Sequence, residues 1–148
     1  RLLFGENIDH NHSKKPLTVK SIVGADMMIR KPILHEVGGA FNPVFFMYCE
    51  ETELCHRIRN NGYLIKALHE PNIVHLEGGS FTENRMLERM GMYRDSHKIY
   101  CNLHYNKAYS SLVSLMWKLT IWTRIIGYGC INSPKKSFWI KVKNYCYR

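Results

Sequence analysis

The sequence predicts an α/β architecture: a short mixed sheet plus helices, followed by a helical, basic C-terminal tail. Three observations carry that prediction. Short runs rich in Val, Ile and Thr recur between residues 17 and 75, a composition suited to a pleated, half-buried surface. Between them lies a segment with apolar residues at i, i+4 spacing. Beyond Ser80 the texture becomes helical throughout. The chain has 148 residues, 45% of them hydrophobic and 12% aromatic. That is too apolar for disorder, enough for one compact core and too short for two ordinary domains.

Residues 1–16 are polar, end on Pro16 and read as a loop. Its Asp9-His10-Asn11-His12 run has metal-binding residue types, but no structured frame surrounds it, and a solvated loop is the plainer reading. Leu17 to Ile29 reads as one or two strands, with Gly24 inside the run, where a missing side chain allows a ligand or another backbone to come close. Lys31 to Val37 fits a short helix with Pro32 near its first turn, and Gly38-Gly39 stops it. Phe41 to Tyr48 is apolar and aromatic, with Asn42-Pro43 as a turn. Glu50 to Asn61 reads as a helix with Leu54, Cys55 and Ile58 as its buried stripe. Glu53 and Arg57, four apart, are expected to pair on its surface for only about 0.3–0.5 kcal/mol. Gly62 is the stop. Tyr63 to Leu68 and Asn72 to His75 are strand candidates separated by Pro71, and Gly78-Gly79 closes the region.

After Ser80, Thr82 to about Tyr105 is one long helical segment with Gly91 as a candidate break, and Ala108 to Ile126 is a second. On a helical wheel Ser110, Ser111, Ser114, Lys118 and Arg124 of the second segment share an arc of about 140°, and most of the other residues are apolar. Lys118 and Arg124 disfavour a spanning helix. Two readings stay open: a helix lying in a membrane interface, or one packed on the core. The chain therefore divides at residue 80 into a strand-and-helix front, 1–80, and a helical tail, 81–148.

The net charge of +9 falls entirely in the tail. Residues 1–80 hold equal numbers of acidic and basic residues, whereas 81–148 hold 12 Lys and Arg against Glu83, Glu88 and Asp95. All three tryptophans, Trp117, Trp122 and Trp139, lie there too. Such asymmetry points to a polyanionic surface, membrane or nucleic acid. No nucleic-acid motif is present, so no nucleic-acid partner is expected. Five cysteines, an odd count with no C-x-x-C pair, argue against a disulfide framework and for a reducing compartment.

The strongest local signal for chemistry is the acidic group Glu50, Glu51 and Glu53 at a helix start, directly after Val44-Phe45-Phe46-Met47-Tyr48. Acids in a first turn are commonly structural, because the helix dipole favours them. Beside an apolar wall, however, desolvation raises a carboxylate's basicity, as a general base at neutral pH requires. The second signal is His75, at a strand end before a flexible glycine pair. A lone histidine is more often an ordinary hydrogen-bonded residue, and His69 across Pro71 is a poor metal partner for it.

The ordered set Val23-Gly24-Ala25-Asp26-Met27-Met28-Ile29-Arg30, Val37-Gly38-Gly39-Ala40-Phe41, Phe45 to Tyr63, and Pro71, Val74-His75, Gly78 and Ser80 resembles the acceptor half of family-2 inverting glycosyltransferases, closest to the rhamnosyltransferase-like group. The resemblance covers about residues 17–80. It implies part of a GT-A (nucleotide-diphospho-sugar transferase) fold. In the family pattern Glu50 matches the first acid, Glu51 the second and Glu53 the third. The second is the family's catalytic base, so the resemblance makes Glu51 the base and Glu50 its fallback. The base removes the proton from an acceptor hydroxyl as that oxygen attacks the anomeric carbon, with inversion. Glu51 and Glu53 stand where aspartate is usual, and the longer arm shifts the oxygen on a scale that matters for positioning. Gly24, Ala25 and Asp26 match a segment bordering acceptor and donor sugar, so they and Glu53 are substrate-binding candidates. His75 matches a ligand for a divalent metal (Mg or Mn) beside the diphosphate.

The family's nucleotide-binding half carries a D-x-D motif, and this sequence has only the scattered Asp9, Asp26 and Asp95 and no Gly-rich phosphate loop. The chain, which starts at Arg1 with no secretory signal before the folded pattern, is therefore expected to be the C-terminal portion of a longer enzyme, inactive alone. The resemblance implies a hexosyl- or deoxyhexosyltransferase using a nucleotide-sugar donor and a saccharide or lipid-linked acceptor, peripheral at the cytoplasmic face of the membrane. There the tail would dock on anionic lipid, each basic residue adding about 1 kcal/mol. The alternative is a non-catalytic membrane-docking or scaffold module that keeps the fold. A partial fold exposes surface, so self-association is also expected.

Overall fold

The structure, a computed structural model, describes residues 14–70 and 83–147. The strand expected over Asn72 to His75, the metal candidate His75 and the Asp9–His12 run lie outside them. The described residues combine helices with a small two-stranded antiparallel sheet. They divide into two compact units, one within Arg1–Phe45 and Cys49–Glu77, the other within Phe46–Tyr48 and Gly78–Arg148.

In the first unit β1 (Leu17–Val19) pairs antiparallel with β2 (Ile65–Ala67), with Leu17 opposite Ala67 and Val19 opposite Ile65. The expected run of strand to Ile29 stops at Val19, and among the described residues the sheet is this one antiparallel pair. The reason is the partner's length: β2 offers three residues, so Ile22, Met27 and Ile29 reach the core from irregular backbone instead. Gly24–Asp26 forms a 3-10 turn in that stretch. Helix α1 (Lys31–Glu36) opens with Pro32 in its first turn and ends where Gly38 and Gly39 take φ of 82° and 105°. There the Gly39 N–H donates to Leu34 O at 2.7 Å. Helix α2 (Glu50–Asn60) ends in the same manner at Gly62, φ 84°. Its stripe of Leu54, Cys55 and Ile58 is buried with Val37 and Ile65 as the core, and Val19, Ile33, Leu34 and Tyr63 pack around it.

One expectation about α2 is corrected. The Glu53–Arg57 pair is not a surface ornament, because Glu53 is 2% exposed. Arg57 Nε donates to both Glu53 oxygens at 2.9 Å. Its Nη1 donates to Val37 O at 2.5 Å and Gly39 O at 2.9 Å, and its Nη2 to Ala40 O. The planar fork thus fastens the glycine turn after α1 to the first turn of α2, a task that a compact ammonium could not perform.

The second unit holds α3 (Glu83–His104), α4 (Lys107–Cys130) and α5 (Lys135–Cys146). Asn106 caps α4, its side-chain oxygen accepting from the Tyr109 N–H at 2.8 Å. Helix α3 is unbroken at Gly91. A Cβ there would lie 2.6 Å from a Tyr145 ring carbon, so the glycine makes room for α5. Ile121, Ile125, Val142 and Cys146 form the core, with Leu87, Met90, Phe138 and Trp139 around them. Helix α4 packs on α3 and α5 through one face only. Among the described residues no helix is long and apolar enough to cross a membrane. All five cysteines are free thiols.

The segment Phe46–Tyr48 belongs to this unit. Ser96 Oγ donates to Met47 O at 2.6 Å, Arg89 Nε donates to Tyr48 Oη at 3.0 Å, and the Tyr48 and Tyr93 rings lie 5.6 Å apart. Nearby, Trp117 Nε1 donates to His97 Nδ1 at 3.2 Å. That bond requires a neutral imidazole, and burial holds the His97 pKa below its usual 6.5. As pH falls below 6.5 the unfolded chain takes up this proton first. The stability present at neutral pH is then lost progressively down to the lower folded pKa. The thermal midpoint is expected to fall between pH 7 and pH 5, and His97→Gln to flatten that slope. Equal slopes in the two proteins would contradict the assignment.

Candidate functional site

The site candidates of the first unit converge around the start of α2. The chain enters that helix through Tyr48 and Cys49, both at positive φ, 68° and 65°. Neither is glycine, and two consecutive left-handed residues of this kind are costly, a form of strain that gathers at functional sites. The turn they make brings the glutamates directly onto the first turn of α2, where free N–H groups and the helix dipole favour negative charge.

The three acids then diverge in role. Glu53 faces inward, and both of its oxygens are taken by Arg57. Its buried carboxylate is gripped by the same Arg57 that reaches the Gly39 and Ala40 carbonyls of the turn. Glu51 is half-buried, and that burial, with the Glu50 charge beside it, pushes its carboxyl above the usual 4.5 against a bond from its own backbone N–H. One oxygen of Glu50 is buried and meets no hydrogen-bond donor among the described residues. A half-buried carboxylate of raised basicity next to a second carboxylate is an arrangement that can accept a proton from a hydroxyl at near-neutral pH.

Gly24, far from Glu51 in the sequence, lies against it. A Cβ built on Gly24 would lie 3.6 Å from Glu51 Cβ, in van der Waals contact. Gly24, Ala25 and Asp26 are exposed, so this 3-10 turn forms an open rim against the shielded base of Glu51. Of the apolar run before α2, Phe45 is buried in the first unit, whereas Phe46 is 86% exposed and Tyr48 packs in the second. Desolvation of Glu51 therefore owes less to the Phe46 ring than the sequence order suggests.

The thiols of Cys55 and Cys101 are pushed above 9.0 by burial, so neither is a ready nucleophile. Among the described residues no three His, Cys, Asp or Glu side chains converge to hold a metal ion. Sequence reasoning missed the latch made by Arg57. The i, i+4 pair was visible, but its backbone acceptors on residues 37, 39 and 40 carry no side-chain signature. Comparison with known proteins finds no matching family model, no matching curated protein and no matching solved structure.

Proposed function

We propose that this chain is the acceptor-side portion of a family-2 inverting glycosyltransferase, with Glu51 as the general base. The reading rests on the resemblance of the motifs around Gly24, Gly38-Gly39 and Glu50–Tyr63, and on one observation above all. Three motifs separated in sequence meet in space: Gly24 at Glu51, and the Gly38-Gly39-Ala40 turn on Arg57, which also grips Glu53. In this reading the acceptor hydroxyl approaches over the exposed Gly24–Asp26 rim. Glu51 takes its proton as the oxygen attacks the anomeric carbon, and the nucleoside diphosphate leaves from the opposite face. Asp26 holds a neighbouring hydroxyl, and Glu50 raises the basicity of Glu51 by its charge. The donor is a nucleotide sugar and the acceptor a saccharide or lipid-linked saccharide. The partial GT-A fold and a divalent metal, with His75 as candidate ligand, belong to the same reading.

A second reading, a non-catalytic membrane-docking module, is favoured by the exposed apolar face of α4. The experiment that separates the two is Glu51→Gln in the enzyme carrying both halves, assayed for transfer to acceptor and separately for donor binding. Lost transfer with retained donor binding supports the base. Undiminished transfer removes it.

A further inference from the structure

Helix α4 is apolar on two opposite sides. Trp117, Ile121 and Ile125 are buried and occupy about 80° of its circumference. Leu112, Leu115, Met116, Leu119, Trp122 and Ile126 occupy about 120° on the far side, and each is between 41 and 60% exposed. The stripe runs about 21 Å along the helix. Lys118 and Arg124 stand at its two edges, the wheel positions between the packed and the open face. A surface helix of an ordinary domain carries polar residues there instead.

The charge that α4 and α5 bring to this face has one sign, and the nearby Asp95 of α3 is paired with Arg94. From Lys107 to Arg148 the chain carries eight basic residues and not one Asp or Glu. The cations lie against aromatic rings at the margin of the stripe. Lys143 Nζ is 5.0 Å from the Trp122 ring centre, and Lys118 Nζ is 5.5 Å from that of Tyr147. Lys118, Trp122, Lys143, Asn144 and Tyr147 also line a shallow depression of about 270 Å³. A second protein surface with an apolar ridge could cover the stripe, but Lys118 and Arg124 at its edges, with Lys143 beside Trp122, favour an anionic occupant. A stripe of this length, too short and too interrupted to cross a bilayer, has the form of a helix that lies flat in the headgroup region, with Trp at the boundary.

We propose that the open face of α4 docks on an anionic lipid bilayer. Leu112, Leu115, Leu119 and Ile126 enter the acyl boundary, Trp122 sits at the headgroup level, and Lys118 and Lys143 meet lipid phosphate at the depression beside it. This inference does not depend on the catalytic reading, and its failure would leave that reading untouched.

The test is co-sedimentation of the 148-residue chain with vesicles of phosphatidylcholine alone and with phosphatidylglycerol added. The chain is expected to sediment with the anionic vesicles only and to be released as salt is raised. Trp122 emission should shift to the blue on binding, a shift absent in Trp122→Phe. Leu119→Glu places a charge in the centre of a solvent-facing stripe, so the helical circular dichroism should persist while vesicle binding weakens at least tenfold. Lys118→Glu with Lys143→Glu should weaken binding similarly. Leu64→Glu, the same change at a residue 70% exposed in the other unit, should not. Absence of binding, equal binding to both vesicles without salt dependence, or wild-type binding by Leu119→Glu would each overturn the proposal. So would a dimer in solution that Leu119→Glu dissociates while vesicles capture nothing.

Discussion

Arg57→Ala is expected to destabilise the first unit by roughly 3–5 kcal/mol, the range for removing one partner of a buried ion pair. The loss has two parts. Glu53, 2% exposed, is left as a buried carboxylate whose two oxygens have lost their shared donor at 2.9 Å. The carbonyls of Val37, Gly39 and Ala40 lose the fork that fixed them. Since whole domains are stable by only about 5–15 kcal/mol, this one change should remove much of the margin. Arg57→Lys should recover little, because an ammonium cannot reach a carboxylate and several carbonyls in one plane. Glu53→Gln with Arg57→Ala should cost less than Arg57→Ala alone, since the buried carboxylate that faced the guanidinium is then neutral. Urea denaturation followed by circular dichroism checks all three. A surface-like loss of a few tenths of a kcal/mol for Arg57→Ala would show that the latch is not formed.

Glu51→Gln is expected to lower transfer by about 10²–10⁴-fold, the usual contribution of a positioned general base. Gln keeps the shape and the half-buried position but cannot accept a proton. The loss should fall on kcat with donor binding unchanged. Stability is expected to move the opposite way. A carboxyl whose folded pKa lies above its unfolded value favours the protonated form. Its stabilising contribution is therefore present below the unfolded value of 4.5 and is lost as pH rises through the folded pKa. At neutral pH the folded chain carries that cost, and Glu51→Gln removes it. The variant should melt higher than the parent at pH 7 and converge with it in acid. A residue that weakens the fold and yet performs the chemistry is a pattern found at active sites. Glu51→Asp should lose part of the rate through displacement of the oxygen and should keep the pH profile of the parent.

Much of the first unit is legible from residues alone, for physical reasons that can be named. The stripe Leu54, Cys55 and Ile58 repeats at the helical period, and the glycines at 38, 39 and 62 adopt the positive φ that other residues resist, so α1 and α2 end where the sequence says. The length of β1 is not legible, because it is set by three residues of β2 far along the chain. The burial of Glu53 is hidden for a similar reason: the groups that satisfy Arg57 are mostly backbone carbonyls. Helix α4 shows a third limit. The wheel places Ser110 and Ser114 on a polar arc. That same side is packed through Trp117, Ile121 and Ile125, with Ser110 buried alongside them, and Ser114 Oγ donates to the Ser110 carbonyl within the helix. A pattern that is apolar nearly all round tells that a helix is covered on one side, and not which side.

The account depends on the basicity of one side chain. The direct measurement is a carbon-detected NMR titration of the Glu51 carboxyl in the 148-residue chain, with Glu50→Gln as the companion variant. The expected midpoint lies clearly above 4.5, the ordinary value, and moves down when the Glu50 charge is removed. A midpoint at or below 4.5, unmoved by Glu50→Gln, would mean that Glu51 stands in water as an ordinary surface acid, and the catalytic reading would fall with it.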